Sequence, residues 1–252
     1  MTIDVEDNEA VTKTEEVYAA IAHLDKFDPF AYLESFYKTA SEDTAMQIVL
    51  FFLPGILYRL PTKVRTVLDL GAGMSTFDWS DVCGLISSIE SLDEPPAAMQ
   101  EKARSKVMAI LEVNVHEIPV VRNVHWQRKS SEIPKKIRAG RFMNCHILFS
   151  INLLLVSTVF CLEYSCETID EYNRAVRGAC SLIEDGGYLI QGGVLDATSY
   201  SFGGKTFKCH RLNRSHIEEA LKANGMASKS DEGFKFIAHD DVFILISRKT
   251  ML

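Results

Sequence analysis

The sequence lacks most of the features that would place it in a specialised class. Seven prolines and 14 glycines are too few among 252 residues for a collagen-like or low-complexity chain. Six cysteines (Cys83, Cys145, Cys161, Cys166, Cys180 and Cys209) form no C-x-x-C pair, so they read as small buried hydrophobes. Positive charge is not in excess: 27 Lys and Arg against 34 Asp and Glu leave −7. That balance argues against a nucleic-acid binder, whose affinity rests on a basic face. The first residues carry Asp4, Glu6, Asp7 and Glu9 in place of an apolar signal segment, which leads us to expect a cytoplasmic protein. G-x-S-x-G and H-E-x-x-H are missing and seven histidines are scattered, so neither a serine nucleophile nor a metal is expected.

What is present is an ordinary globular balance, 47% hydrophobic and 24% charged, sufficient to bury a sizeable core. From Cys145 to Leu162 the chain runs without a formal charge, close to the ~18 residues a membrane span requires. His146, Ser150, Asn152, Ser157 and Thr158 interrupt it on no single helical face, so a buried central strand with its flanks is the preferred reading over a membrane anchor.

The order of elements points to an α/β protein. An acidic arm, residues 1–22, precedes an apolar segment in which Ala45, Ile48, Phe51, Phe52, Ile56 and Leu60 recur at helical spacing, with Pro54 and Gly55 expected to bend or split the helix. VRTVLDLGAG reads as a strand ending at a glycine turn, and LISSIESLDEPP as a second strand ending at Asp93. Residues 96–111 have a helical apolar face (Met99, Ala103, Val107, Leu111), and VNVHEIPV is a third strand or its exit loop. The basic stretch 122–141 around Trp126 is a solvated connection or, less economically, a nucleic-acid groove. A helix running to Gly186-Gly187, the strand YLIQGGVL, a helix capped by Asn213 or Ser215 and stopped at Gly225, and a hairpin around His239-Asp240-Asp241 complete the chain.

The string VLDLGAGMSTF carries the most chemical information. Gly71 and Gly73 permit a tight turn and close approach of a ligand to the backbone. Thr76 stands where a dinucleotide fingerprint needs a third glycine, which disfavours a pyrophosphate cradle. Asp69 and Asp93 are instead carboxylates suited to the vicinal hydroxyls of a ribose. A nucleoside-type cofactor and a merely structural strand-turn-helix both fit this string taken alone.

Three strings occur in order: FDPFAYLESFY, VLDLGAGMSTF, and FCLEYSC followed by GGYLIQGGVLDATSYSFGGKTF. Together they resemble the nicotinamide, phenylethanolamine and indolethylamine N-methyltransferase family across most of residues 27–250. The resemblance implies a Rossmann-like class I methyltransferase fold in a single domain, 23–252. Its sheet would be mainly parallel and seven-stranded with a C-terminal antiparallel hairpin, helices on both faces, and residues 23–62 as a cap over the cofactor. The implied cofactor is S-adenosylmethionine. It would be held by Tyr32, Tyr37, Asp69, Gly71, Gly73, Ser75, Phe77, Asp93, Asn114, Val115 and Thr158, with Asn114 and Val115 at the adenine and Thr158 near the sulfonium. Apart from the resemblance, Tyr32 and Tyr37 read as aromatic core packing.

The same resemblance places Glu163 at the amine of the acceptor, with Tyr200 and Asp196 as further substrate-pocket residues. A carboxyl capping the next helix is the alternative for Glu163. Gly193 stands where the nicotinamide enzymes have an aspartate, as in the amine-specific members. The implied partner is a small amine or pyridine, with no nucleic acid or membrane, and the protein is expected to act as a monomer. A noncatalytic relative that binds the cofactor is the competing reading. The sequence also departs from the family in a shortened segment after Asp93, in Ala98 at a position commonly asparagine, and in added residues before Leu154.

Overall fold

A computed structural model describes residues 16–36, 44–61, 63–64, 66–71, 95–127, 153–230 and 233–250. In chain order the elements are β1 (Val17–Tyr18), a 3-10 turn (Ala20–Ala22), α1 (His23–Lys26), α2 (Pro29–Phe36), α3 (Thr44–Tyr58), β2 (Val67–Leu70), α4 (Pro96–Lys106), β3 (Ala109–Val113), β4 (Val121–Gln127) and β5 (Leu153–Val159). They continue as α5 (Ile169–Ser181), β6 (Ile183–Val194), β7 (Ser199–Phe202), β8 (Lys205–Lys208), α6 (Arg214–Ala223), β9 (Phe234–His239) and β10 (Val242–Arg248).

The main sheet has the order β2-β5-β6-β10-β9. β2, β5 and β6 pair in parallel, whereas β10 is antiparallel to both β6 and β9. The terminal hairpin is therefore present as expected. Five strands rather than seven make up this sheet among the described residues, and only its first three are parallel to one another. The strand expected to end at Asp93 lies outside the described residues, as does the arm up to residue 15.

Alternation along the strands explains the layers. Val156, Leu189 and Leu245 face one core cluster, with Tyr172, Val176, Ile217 and Leu221 from the helices above. Their neighbours Leu155, Ile190 and Ile244 face a second cluster with Val49 and Ile56 of α3. Apolar residues on both faces of a strand require cover on both sides, which is why Leu153–Val159 of the uncharged run forms the buried β5. Among the described residues, no helix is long and apolar enough to cross a membrane.

Several local expectations are corrected. The helix expected over 96–111 ends at Lys106. Ala109–Val113 instead alternates half-buried and exposed side chains against β4, so the two-residue period overrides the helical one. Val121–Gln127, expected in a surface connection, is the other half of that hairpin. Pro54 sits inside α3 without splitting it. α5 starts where Thr168 and Glu171 close a reciprocal capping box, and it ends at Ser181, five residues short of Gly186, because Ile183 already enters β6. Asn213, not Ser215, caps α6, accepting from the His216 amide at 3.0 Å. Residues 17–22, expected within the arm, are ordered: β1 pairs in parallel with β8, and Glu167 accepts from the Ala20 amide at 2.7 Å.

Candidate active site

Three parallel strands end at the same edge of the sheet, and their exits form the site. This is where ligands bind in open α/β sheets, because the connections diverge and leave a crevice. At the end of β2, Gly71 turns with φ +83°, and a Cβ there would lie 2.9 Å from Cβ of Cys161. Only glycine accommodates both the left-handed backbone and that contact. The neighbouring pair is also fixed: Ser157 of β5 donates to Asp69 Oδ1 at 2.6 Å, opposite it in register. Asp69 is open to solvent on one side. The protein around it still raises its carboxyl above the usual range, partly offset by Ser157.

β5 leaves the sheet through Phe160, which adopts φ +51° while its amide donates to Gly192 O at 2.9 Å. A bulky side chain in the left-handed region is strained, and such strain is retained where the surroundings fix it. The kink carries Cys161, Leu162 and Glu163 across the end of β6. Glu163 is 1% exposed. Its carboxyl lies directly on Gly193, where a Cβ would sit 2.3 Å from Oε1. Among the described residues, neither carboxyl oxygen of Glu163 nor the buried Thr158 Oγ1 has a hydrogen-bond partner. The amides of Glu163, Val194 and Cys161 face the carboxyl and favour its charge without closing to hydrogen bonds, and burial dominates, pushing it up to about 8.

Burial also pushes the Cys161 thiol up to about 12, its sulfur enclosed although the residue is only partly covered. A thiol so raised is a poor nucleophile. Covalent catalysis through it is therefore disfavoured.

The aromatic wall comes from β7, β8 and the N-terminal segment. Tyr200 stacks on Tyr164 with centroids 4.1 Å apart, next in sequence to Glu163. Tyr32 on α2 meets Phe202 edge-on at 5.2 Å and leans on Phe27 and Phe36. Asp28 holds that helix start, accepting from the amides of Phe30 and Ala31 at 3.0 and 3.1 Å.

Not every residue singled out in the sequence joins this group. Val115 points into the main core and its carbonyl lies against Gly178 of α5. Asn114 is engaged within its own turn, donating to Glu117 at 2.6 Å and accepting from the His116 amide at 3.0 Å. Asp196, with φ +59°, turns outward to an exposed pair with Arg211 at 3.2 Å. Tyr37, Gly73, Ser75, Phe77 and Asp93 lie outside the described residues. Conversely, Tyr164 and His23 enter the aromatic wall without any signal in the sequence beyond Tyr164 following Glu163. The buried pair Tyr172 and Gln191, hydrogen-bonded at 3.0 Å beneath the site, gave none.

The profile of the NNMT/PNMT/TEMT family matches residues 15–75 and 73–250. The chain belongs to this family. Nicotinamide N-methyltransferase of Caenorhabditis elegans is 53% identical to it, over 93% of each chain. Indolethylamine N-methyltransferase of mouse is 24% identical, over 89% of this chain and 93% of the relative. A solved 1,6-didemethyltoxoflavin methyltransferase of Burkholderia thailandensis, with bound S-adenosylhomocysteine, covers 88% of this chain and 87% of its own at 14% identity and a TM-score of 0.43.

Membership of the NNMT/PNMT/TEMT family makes the chain an S-adenosylmethionine-dependent methyltransferase. The residues present fit that cofactor on independent grounds. At the exit of β5 the buried Thr158 Oγ1 has no hydrogen-bond partner among the described residues and suits a polar group of such a ligand, whereas the room a Gly71 Cβ would need is taken by Cys161.

The raised carboxyl of Glu163 has a consequence for stability. Its folded value of about 8 stands above the unfolded 4.5, so the native state holds the extra proton between them. The stabilising contribution is complete below the unfolded value and is lost as pH rises through the folded one. Stability of the ligand-free protein should therefore fall by up to ~1.4 kcal/mol per pH unit inside that window. E163Q should remove this component, which denaturant titrations between pH 5 and 8 will show. Parallel pH profiles for the two proteins would contradict it.

Proposed function

We propose that this methyltransferase acts on the nitrogen of a small amine or pyridine held against Glu163. The observation that carries the reading is the buried Glu163 carboxyl, without a hydrogen-bond partner among the described residues, seated on Gly193 beside the turn at Gly71. A buried carboxyl without a partner is costly, and a cation or N–H donor arriving in the pocket relieves that cost. In the family reading, Tyr32, Asp69, Gly71, Asn114, Val115 and Thr158 hold the cofactor with Tyr37, Gly73, Ser75, Phe77 and Asp93. In the same reading the sheet is mainly parallel and seven-stranded, residues 23–62 form the cap, and the protein works as a cytoplasmic monomer without nucleic acid.

When bound, S-adenosylmethionine supplies an electrophilic methyl group on a sulfonium. The chain's own task is to hold a neutral nitrogen in line with it in a dry pocket, and orientation of that kind is worth ~7–11 kcal/mol of a barrier. Glu163 has two uses. Ionised, it captures an ammonium. With a value near 8 it is also matched to take the proton that must leave before an amine nitrogen can attack. A pyridine nitrogen needs no such transfer.

Nicotinamide is supported by the name of the nematode relative, and an amine by Gly193 in place of the aspartate of nicotinamide enzymes. Titration calorimetry with S-adenosylmethionine followed by radiolabel transfer to nicotinamide and to arylalkylamines tests the proposal. Absence of cofactor binding would sink it. Binding without turnover of any nitrogen acceptor would select the noncatalytic relative.

A further inference from the structure

We infer that His23 is a positioning residue: it fixes the Tyr200 hydroxyl as its donor partner, so that Tyr200 presents only acceptor lone pairs to a ligand and selects substrates bearing an N–H donor. The inference rests on the reading of Glu163 and Tyr200 as the acceptor site. Two contacts of one ring determine it. His23 Nδ1 is hydrogen-bonded to the carbonyl of Ala20, which can only accept, so Nδ1 carries the proton. Nε2 of the same ring contacts the Tyr200 hydroxyl. In a neutral imidazole whose Nδ1 is protonated, Nε2 has a lone pair and no hydrogen, and Tyr200 must donate to it. Burial lowers the His23 value and keeps the ring neutral, while burial raises that of Tyr200 and keeps the phenol protonated.

The ring has little freedom to depart from this arrangement. It stacks on Phe207 at 4.3 Å and 15°, and lies nearly parallel to Tyr200 at 5.7 Å. Its acceptor, Ala20, is held in turn by Glu167 through the 2.7 Å bond to the Ala20 amide, and β1 is held by pairing with β8. Tyr200 is meanwhile stacked on Tyr164, adjacent to Glu163. On the wall next to Glu163, whose carboxyl becomes an acceptor once a bound cation ionises it, the donor-spent Tyr200 hydroxyl adds a second acceptor. It suits an ammonium or a carboxamide NH2, and it disfavours a ligand offering only an ether or carbonyl oxygen, whose lone pairs would face unpaired acceptors.

The test joins a spectroscopic signature to kinetics. In nitrogen-15 spectra of the intact protein, His23 Nε2 should read as an unprotonated nitrogen accepting a hydrogen bond, and Y200F should shift it towards a free one. A protonated Nε2, or one unmoved by Y200F, overturns the inference. H23F should raise the acceptor KM about tenfold, with kcat and cofactor affinity little changed. H23Q, whose amide oxygen can reach the place of Nε2, should recover most of that loss, and H23F should add little in a Y200F background. An unchanged acceptor KM in H23F with a native melting temperature overturns the inference alone. A native protein that methylates no nitrogen acceptor overturns the site reading, and this assignment with it.

Discussion

Replacing Glu163 with Gln raises the KM for an amine acceptor by about a hundredfold and lowers kcat with it, while affinity for S-adenosylmethionine stays within about twofold. The first number follows from the environment. Truncating the charge of a buried pair costs about 2–5 kcal/mol, and ~2.7 kcal/mol is a hundredfold. Glu163 is 1% exposed and its oxygens have no other partner among the described residues, so the bound amine is the group that satisfies them. The fall in kcat follows from chemistry, because a glutamine neither holds a counter-charge nor accepts the amine proton. A pyridine acceptor separates the two roles: it retains most of its kcat, as its nitrogen arrives unprotonated. Steady-state kinetics with an arylalkylamine and with nicotinamide, alongside cofactor titration, measure all three quantities. Unchanged amine kinetics would remove Glu163 from the site.

Gly178→Ala lowers the stability of the protein by about 2 kcal/mol, or ~4–8 °C in Tm, although alanine is the better helix former. Gly178 is buried in the last turn of α5, and a Cβ there would lie 2.1 Å from the carbonyl oxygen of Val115 and 3.0 Å from its carbonyl carbon. Those atoms are backbone. The Asn114–Val120 turn, closed by the Asn114 amide donating to Val120 O at 2.8 Å, must shift as a unit. Replacing the exposed neighbour Arg177 with Ala is the control and changes Tm by less than about 2 °C. If Asn114 and Val115 flank the adenine, G178A also weakens cofactor binding by calorimetry in the folded protein. An unchanged Tm would show that the turn yields easily, and weakened stability with unchanged cofactor affinity would take the turn out of the cofactor site.

The parts of this molecule legible in its sequence are those set by local rules. The helix that follows Thr168, the Asn213 cap and the terminal hairpin depend on residues within a few positions of one another. The strand before Gly71 and the buried strand in the uncharged run are equally local, since β-branched apolar runs bounded by a turn have few other solutions. Where two periods competed, as over residues 96–111, pairing with β4 decided, and that partner lies outside any window around the helix.

The site divides along the same line. Gly71 could be read as a glycine that lets a ligand approach, but the sequence does not reveal that Cys161, ninety residues away, occupies the space beyond its Cα. Glu163 was identified through the family, yet only the fold shows that its carboxyl is buried in the room left by Gly193, that it has no hydrogen-bond partner among the described residues, and that burial raises its proton affinity. Asp196 carried the same candidate chemistry three residues beyond Gly193, and a left-handed turn sends it to Arg211 instead.

By itself, then, the sequence determined the α/β class, the family and the candidate carboxylates, because composition, short-range periodicity and motif order are properties of the chain. Tertiary structure alone decided which polar groups are buried without partners and which way the Tyr200 hydroxyl donates. Both depend on groups far apart in sequence, brought within hydrogen-bonding distance by the parallel strands and the N-terminal segment, and desolvation acts on them only once the chain has closed around them.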